Sequence, residues 1–251
     1  MVNGVDKFRE HFKNYANQYT IIGGFACDLL MKSVGLDFRQ TADIDMVLTV
    51  EALTEDFAEA FWMFLEAGGY QARQRSNGRP EFYRFVNPVN PGYPKMIELF
   101  SRPQSNVVLK VDTHLMPLHI SDELSSLSAI LLNDDYYRFL LGGRTVVDGI
   151  SVLDVEHIIP FKMKAWLDLT DKKSEGLFVK SSDIKKHRLD VFRLFPLLSE
   201  DRRIAVPKSV RADIVQFITK IREMDMHLED IGITRSKDSI LDVFSNLYYS
   251  E

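Results

Sequence analysis

The sequence predicts an α+β protein, in which a small mixed β-sheet flanked by helices is followed by a mostly helical C-terminal region. In the first hundred residues, short apolar runs typical of strands alternate with longer stretches that have helical spacing. From residue 124 onwards, helical spacing predominates. With 45% hydrophobic residues, 17 Phe and 9 Tyr, the chain can form a packed core, which excludes an intrinsically disordered protein.

The elements of the first part follow from local signals. An apolar run that stops at Gly23-Gly24 indicates a buried strand ended by a tight turn, and an apolar stripe that stops at Gly68-Gly69 indicates a helix. Helices are expected over residues 5–17, 25–34 and 53–67. Strands are expected over residues 19–22, 44–50, 70–75, 81–86, 96–100 and 107–111.

The second part contains one strong turn signal and several helical stripes. Asp148-Gly149 is a favoured two-residue turn between β-branched runs, so residues 144–153 are expected to form a β-hairpin. We therefore divide the chain into a core over residues 1–123 and a mostly helical region over residues 124–251, which includes the hairpin. Helices are expected over residues 124–141, 155–169, 182–198, 207–226 and 236–249.

Composition excludes several classes of protein. The single Cys27 cannot form an internal disulfide or a cysteine-rich zinc site. The charged N-terminal segment is unlike a secretory leader, and no stretch approaches about 18 uninterrupted apolar residues, so we expect a cytoplasmic protein without a membrane partner. The net charge is −5, with 14 basic and 19 acidic side chains in residues 1–150 and 17 of each in residues 151–251. The excess acid in the first part is either a solvated surface or a focused site.

Two carboxylates stand two residues apart at the start of a predicted strand. Alternate residues of a strand project from one face, so Asp43 and Asp45 are expected on the same side, roughly 6–7 Å apart. Carboxylates held on one face repel each other unless a cation lies between them, and oxygen ligands suit Mg²⁺ or Mn²⁺. Two such ions can clamp the attacking and leaving oxygens of a phosphoryl displacement. The alternative interpretation is an exposed strand edge with solvated acids.

The glycine pair lies between a predicted strand and a predicted helix. Glycine lets the backbone approach a phosphate closely, and the N-terminus of the following helix directs N–H groups at an anion. A lone Gly-Gly more often marks only a turn. Because Asp43 and Asp45 follow Gly23 and Gly24 by about 20 residues, the combination predicts a site for a nucleoside triphosphate (NTP) and metal.

These motifs resemble a known superfamily. The stretches IIGGFACDLL and FRQTADIDMVL are similar to the signature of the DNA polymerase β-like nucleotidyltransferases: an apolar residue with Gly-Gly or Gly-Ser, a helix, and then D-h-D (h, apolar) on the next strand. Arg39 and Thr41, together with the two aspartates, most resemble the branch that includes the AbiEii-type toxins. The resemblance is clear over residues 19–50. It implies a small mixed sheet that binds an NTP through two metal ions, with Gly23, Gly24, Arg39 and Thr41 at the nucleotide.

The superfamily carries a third acid on a later strand. Glu98 lies at the centre of the apolar run from Met96 to Phe100, and Asp112 is the second candidate. An acid within an apolar run is costly unless it is paired or bound to a metal, which favours Glu98. The resemblance implies that this acid is a metal ligand or the general base for the acceptor hydroxyl. The alternative is a salt-bridged acid on an exposed strand face.

The resemblance extends more weakly to two helices of the second part. The AbiEii-like branch has a helix that bears a lysine, followed by a helix with a K-D-x-x-D-like pattern. Lys164 lies in the first helix, and Lys186 and Asp190 lie in the second, with His187 where the branch commonly has Asp. The resemblance implies that Lys164 and Lys186 reach the triphosphate and that Asp190 belongs to the nucleotide site. Lys186 and Asp190 are also within pairing distance at i, i+4, and such pairs are usually weak surface salt bridges.

We therefore expect a metal-dependent nucleotidyltransferase that transfers NMP from an NTP to an acceptor hydroxyl. Its catalytic residues would be Asp43, Asp45, Glu98, Lys164 and Lys186, and the first three would also bind Mg²⁺ or Mn²⁺. Whether the acceptor is RNA, protein or a small molecule stays open, as do a toxin role and an antitoxin partner. The alternatives are a non-catalytic nucleotide- or protein-binding module on the same fold and a small-molecule transferase of the aminoglycoside-modifying type.

Overall fold

The computed structural model of the protein describes residues 2–74, 80–100, 130–131 and 133–250. These residues form two compact units. The first unit comprises the described residues up to 100 together with residues 144–153, and the second comprises the described residues of 130–143 together with 154–250. The expected boundary at residue 123, the expected strand over residues 107–111 and Asp112 lie outside the described residues.

Within the described residues, the first unit is built on a mixed sheet of seven strands, which are β1 (Tyr19–Ile22), β2 (Asp43–Leu48), β3 (Gln71–Gln74), β4 (Pro80–Val86), β5 (Met96–Phe100), β6 (Arg144–Val147) and β7 (Ile150–Leu153). Their order in the sheet is β3-β4-β5-β2-β1-β7-β6. The pairs β1–β7 and β2–β5 are parallel, and the other neighbours are antiparallel. Together with the flanking helices, this sheet confirms the predicted α+β class.

In the described part of this unit, three α-helices accompany the sheet. They are α1 (Val5–Phe12), α2 (Gly23–Ser33) and α3 (Glu55–Gly68). α3 begins at a cap, because the Thr54 hydroxyl accepts a hydrogen bond of 3.2 Å from the Phe57 amide. It ends at Gly69, whose φ of 63° places it in the left-handed region that favours glycine.

Aromatic rings from α1, β1 and α3 form one buried cluster. The Phe12 ring centroid lies 5.2 Å from that of Phe64 and 6.0 Å from those of Tyr19 and Phe57. All four side chains are fully buried. Since burying one such ring stabilises a fold by about 1.5–3 kcal/mol, the cluster holds β1 firmly. The residue that follows β1, Gly23, therefore has a well-defined position.

The hairpin at residues 144–153 belongs to the first unit, although we expected it in the C-terminal region. Its turn residues, Asp148 and Gly149, have φ values of 50° and 77°, as a two-residue hairpin turn requires. β7 pairs in parallel with β1 through Ile21 and Val152. All four residues of β7 are buried, because this strand lies inside the sheet with β1 on one side and β6 on the other.

The second unit is mostly helical, as predicted. The helix over Val155–Ser174 packs against those over Ser181–Arg193 and Lys208–Arg222, and the rings of Trp166, Phe192, Phe217 and Phe244 are buried in the unit. Two three-residue strands pair in parallel, and they were not predicted because three residues are too few to show alternation. No described helix is both long and apolar enough to cross a membrane. The elements are α4 (Asp134–Gly142), α5 (Val155–Ser174), α6 (Ser181–Arg193), β8 (Ile204–Val206), α7 (Lys208–Arg222), α8 (Lys237–Leu247) and β9 (Tyr248–Ser250).

Candidate functional site

Asp43 and Asp45 lie on one face of β2. The strand begins at Asp43, and its first four residues alternate: both aspartates are partly exposed, whereas Ile44 and Met46 are completely buried. This alternation is what a strand with one core face produces. Both carboxylates are therefore accessible from the same side of the sheet.

Four neighbouring strands place one residue each in register across the sheet. Ile22 of β1 is opposite Asp45 of β2, Asp45 is beside Glu98 of β5, and Glu98 is opposite Arg84 of β4. Neighbouring strands are about 4.8 Å apart, and residues in register project from the same face. We call Ile22, Asp45, Glu98 and Arg84 the register row. It brings the acid that we predicted on β5 next to the acid on β2.

Glu98 forms an ion pair with Arg84 within the register row. The Arg84 Nε atom contacts the Glu98 carboxylate, and the two side chains are 24% and 13% exposed. Glu98 itself lies between the fully buried Ile97 and the buried Leu99. A carboxylate with so little exposure requires a charged or hydrogen-bonding partner, which Arg84 supplies.

Gly23 is in direct contact with the Asp45 carboxylate. A Cβ atom added to Gly23 would lie 1.8 Å from Asp45 Oδ2 and 2.8 Å from its Cγ. Gly23 also has a φ of 72°, in the left-handed region. Only glycine both adopts this backbone conformation readily and leaves room for the carboxylate, so Gly23 allows the start of α2 to lie against Asp45.

The loop that precedes β2 lies against the first turn of α2. A Cβ atom added to Gly24 would lie 2.7 Å from the Thr41 hydroxyl and 3.5 Å from Nη2 of Arg39. Both of these side chains are partly exposed. The structure thus brings together five of the residues that we singled out in the sequence: Gly23, Gly24, Arg39, Thr41 and Asp45.

The N-terminus of α2 has the properties of an anion-binding site. The helix begins at Gly23, its first turn contains no acid, and its N-cap residue, Ile22, makes no capping hydrogen bond through its side chain. The first four N–H groups of a helix have no partner within the helix, and this end carries a partial positive charge. With the Arg39 guanidinium close by, the backbone here suits phosphate oxygens.

The lysine predicted on the first basic helix is held by acids of its own unit. Lys164 of α5 donates to Asp168 at 2.7 Å and lies 3.7 Å from Asp213. Burial alone lowers the pKa of Lys164, but the hydrogen bond and charge of Asp168 and the charge of Asp213 raise it above its ordinary value. The pKa of Asp213 is raised, chiefly by burial, although Lys164 and the Tyr136 hydroxyl oppose this.

The alternative interpretation of Lys186 and Asp190, a surface salt bridge between the two, is wrong. Lys186 donates to Asp183 at 2.9 Å and is 42% exposed. Asp190 is completely buried and pairs with Lys162 at 3.1 Å and with Arg193 at 3.3 Å. The physical reason is that a buried carboxylate needs cations that reach the interior, and Lys162, only 4% exposed, is one. His187, whose role was open, is half-buried on α6.

The roles of two residues as ion-pair partners of the candidate acids were not predicted from the sequence. Lys162 carries a signal, since it stands three and four residues after Ile159 and Ile158 and therefore shares their apolar helix face. A lysine on such a face predicts a buried ion pair. Arg84 carries no comparable signal, because its partner follows from the register between β4 and β5, which no local pattern encodes.

The acids of the first unit have the donor chemistry of a divalent-cation site. Carboxylate oxygens are the ligands that Mg²⁺ and Mn²⁺ prefer. Asp43, Asp45 and Glu98 are all partly exposed and lie on one face of adjacent strands. Within the described residues, no group of three or more His, Cys, Asp or Glu side chains is already gathered around a common point. These side chains have the donor atoms that such a cation prefers, and Arg84 already contacts one oxygen of the Glu98 carboxylate.

The chain shares a weak structural likeness with a known protein. No protein-family model and no curated protein matches the sequence. Among solved structures, it is similar to the crystal structure of an antigenic nucleotidyltransferase-like protein from Paracoccidioides brasiliensis. The alignment covers 96% of this chain and 94% of that chain, at 16% sequence identity and a TM-score of 0.43. At this level of similarity, residue roles have to come from the geometry of the site itself.

Proposed function

We propose that the first unit is a metal-dependent nucleotidyltransferase, which transfers NMP from an NTP to an acceptor hydroxyl. One observation carries this proposal: the Asp45 carboxylate lies against Gly23 at the start of α2. A group that attracts cations and a backbone that attracts anions are therefore side by side. This arrangement suits a metal–triphosphate complex better than it suits either ion alone.

Different residues of the site would bind the phosphates and the metal ion. The amides of Gly23 and Gly24 would donate to phosphate oxygens, and the Arg39 guanidinium and Thr41 hydroxyl would add contacts beside them. Asp43 and Asp45, with Glu98, would hold Mg²⁺ or Mn²⁺, which when bound offsets the negative charge of the phosphates. The contacts at the start of α2 and the shared face of β2 and β5 support these assignments.

The chemistry is a displacement at the α-phosphorus. The acceptor oxygen would form a bond to this atom, the bond to the bridging oxygen would break, and pyrophosphate would leave. Glu98 would accept the proton of the acceptor hydroxyl while the Arg84 guanidinium stays beside it. The acceptor itself is not specified by these residues. Labelled NTP offered to RNA, protein and small molecules would identify it, and growth arrest that is relieved by Asp45→Ala would support a toxin role.

The basic residues of the second unit keep a proposed role only in part. Lys164 and Lys186 would each have to leave an acid, Asp168 or Asp183, to reach a triphosphate. Asp190 is buried in a double ion pair, which favours a role in stability over one in nucleotide binding. An antitoxin partner remains part of the proposal that rests on the AbiEii-like resemblance.

A non-catalytic nucleotide-binding module is the second candidate, and the ion pair of Glu98 favours it. A neighbouring guanidinium makes a carboxylate a weaker base, so the pair would disfavour proton transfer to Glu98 while the phosphate contacts remain. Tight binding of Mg–NTP without NMP transfer to any acceptor would support this candidate over the first.

With the proposed metal–nucleotide site, the thermal stability of the protein should increase when Mg–NTP is added. At an Mg–NTP concentration of about 100 Kd, binding should stabilise the wild-type protein by about 2.7 kcal/mol, which corresponds to several degrees in Tm. The Asp43→Ala/Asp45→Ala variant should show no such shift, since it lacks the groups that hold the cation. Each of the four NTPs should be compared with and without Mg²⁺.

An exposed acid provides the matched control for this measurement. The Asp6 side chain is 93% exposed and lies on α1 in the same unit. Asp6→Ala should therefore show the wild-type shift. Equal stabilisation of the double variant and the wild type by Mg–NTP would contradict the proposed metal site.

A further inference from the structure

We propose that Arg84 is a positioning residue: it serves as an internal counter-ion for Glu98 and competes with the divalent cation for this carboxylate. The inference rests on the proposed function, since it concerns the same site. Its starting point is the ion pair between the Arg84 Nε atom and Glu98, which joins two residues of the register row.

The order of the strands gives Glu98 two different neighbours. β5 lies between β4 and β2, so Arg84 approaches Glu98 from one side and Asp45 lies in register on the other. One neighbour is a cation, and the other is an acid that Glu98 could join only through a shared cation. The Glu98 carboxylate is therefore drawn towards Arg84 on one side and, when a cation is bound, towards the side of Asp45 on the other.

Electrostatics favours the pair with Arg84 when no divalent cation is present. Asp43, Asp45 and Glu98 place three negative charges on adjacent positions of two strands, and like charges at such distances destabilise one another. The guanidinium offsets one of them. Because the two side chains are only 24% and 13% exposed, water screens this pair less than it screens an ordinary surface pair.

This competition weakens binding of the cation. The apparent affinity of a ligand falls in proportion to the fraction of protein in which its site is available. Arg84 also places a positive charge near the incoming cation, which weakens binding further. A substitution that removes the guanidinium should therefore tighten cation binding, whereas the loss of a structural ion pair would leave affinity unchanged or weaken it.

The experiment is a titration of the full-length protein with Mn²⁺, without nucleotide, in which free Mn²⁺ is measured by electron paramagnetic resonance. Arg84→Met should bind Mn²⁺ on the order of tenfold more tightly than the wild type. Arg84→Lys retains the charge and should stay within about threefold of the wild type. If Arg84→Met does not fold, Arg84→Gln carries the same prediction, since it also lacks the charge.

A matched arginine separates this effect from a change in net charge. Arg9 belongs to the same unit and pairs with Asp6 and Asp148, neither of which is in the register row. Arg9→Met should leave Mn²⁺ affinity unchanged. In a Glu98→Gln background, Arg84→Met should no longer tighten binding, because the carboxylate for which Arg84 competes is gone.

The results of these Mn²⁺ titrations test the inference independently of the proposed function. Unchanged or weakened Mn²⁺ binding by Arg84→Met overturns the inference, as does equal tightening in the Arg9→Met variant or in the Glu98→Gln background. Absence of Mn²⁺ binding by every variant overturns it as well. Tightening that depends on Glu98 supports it even if no NMP transfer is found, whereas NMP transfer with an Arg84-independent affinity supports the function alone.

Discussion

Gly23→Ala should weaken Mg–NTP binding and slow NMP transfer by at least about 100-fold while the protein remains folded. The new Cβ atom would lie 1.8 Å from Asp45 Oδ2, so the carboxylate would have to move away from the start of α2. A displacement of about 1 Å at a reacting centre can cost about 100-fold in rate, and we expect at least this loss here. Calorimetric titration with Mg–NTP and a transfer assay would measure both effects.

Gly35→Ala is the matched control for this prediction. Gly35 has a φ of 77°, close to the 72° of Gly23, but a Cβ atom added to it would meet nothing within 4 Å. Both substitutions therefore introduce similar backbone strain, of about 1–2 kcal/mol, and only one displaces Asp45. Equal loss of binding in both variants would mean that strain, and not the contact with Asp45, is responsible.

Asp190→Ala should lower the free energy of unfolding by about 3–5 kcal/mol. Asp190 is fully buried, and Lys162, which is 4% exposed, would be left in the interior without this carboxylate. Removing one member of a buried ion pair is costly because the remaining charge is still desolvated. Urea denaturation followed by circular dichroism would measure the change.

Two further variants make this second prediction specific. Lys162→Met combined with Asp190→Leu removes both charges, so the double variant should be clearly more stable than Asp190→Ala, and Arg193 can turn to solvent. Lys186→Ala breaks the exposed pair with Asp183 and should cost less than about 1 kcal/mol. A double variant no more stable than Asp190→Ala would argue that packing, rather than an unpaired charge, dominates.

Elements with strong local signals could be predicted from the sequence. The expected bounds of the strand over residues 19–22 and of the hairpin over residues 144–153, and the expected start of the strand at residue 96, coincide with those of the structure. Each is bounded by glycine, proline or a two-residue turn, so the information lies within a few residues. Helix ends were less accurate: α5 continues to Ser174, five residues beyond the predicted end, because no glycine or proline stops it there.

Interactions between distant segments could not be predicted in this way. Three such interactions depend on strand register or helix packing. They are the pairing of the hairpin with β1, the ion pair of Arg84 with Glu98 and the ion pair of Lys162 with Asp190. A sequence pattern states which face of an element is apolar, but not which element covers it.

Several residues of the candidate site could be predicted from the sequence, but their contacts could be predicted only in part. The glycine pair and the D-x-D motif were found from their spacing, and the structure places Gly23 against Asp45. The spacing could not show that Glu98 is held by an arginine. Whether Asp43, Asp45 and Glu98 bind metal, and whether Lys164 and Lys186 act on a nucleotide, stay predictions for the experiments above.

The hairpin also determines the order in which the chain can fold during synthesis. Residues 133–143 belong to the second unit, and the chain then returns to the first unit for β6 and β7. A fragment that ended at residue 143 would leave β1, a completely buried strand, without one neighbour and with an open edge that invites aggregation. On the ribosome, the first unit thus completes its sheet only after residue 153 has emerged, when part of the second unit is already outside.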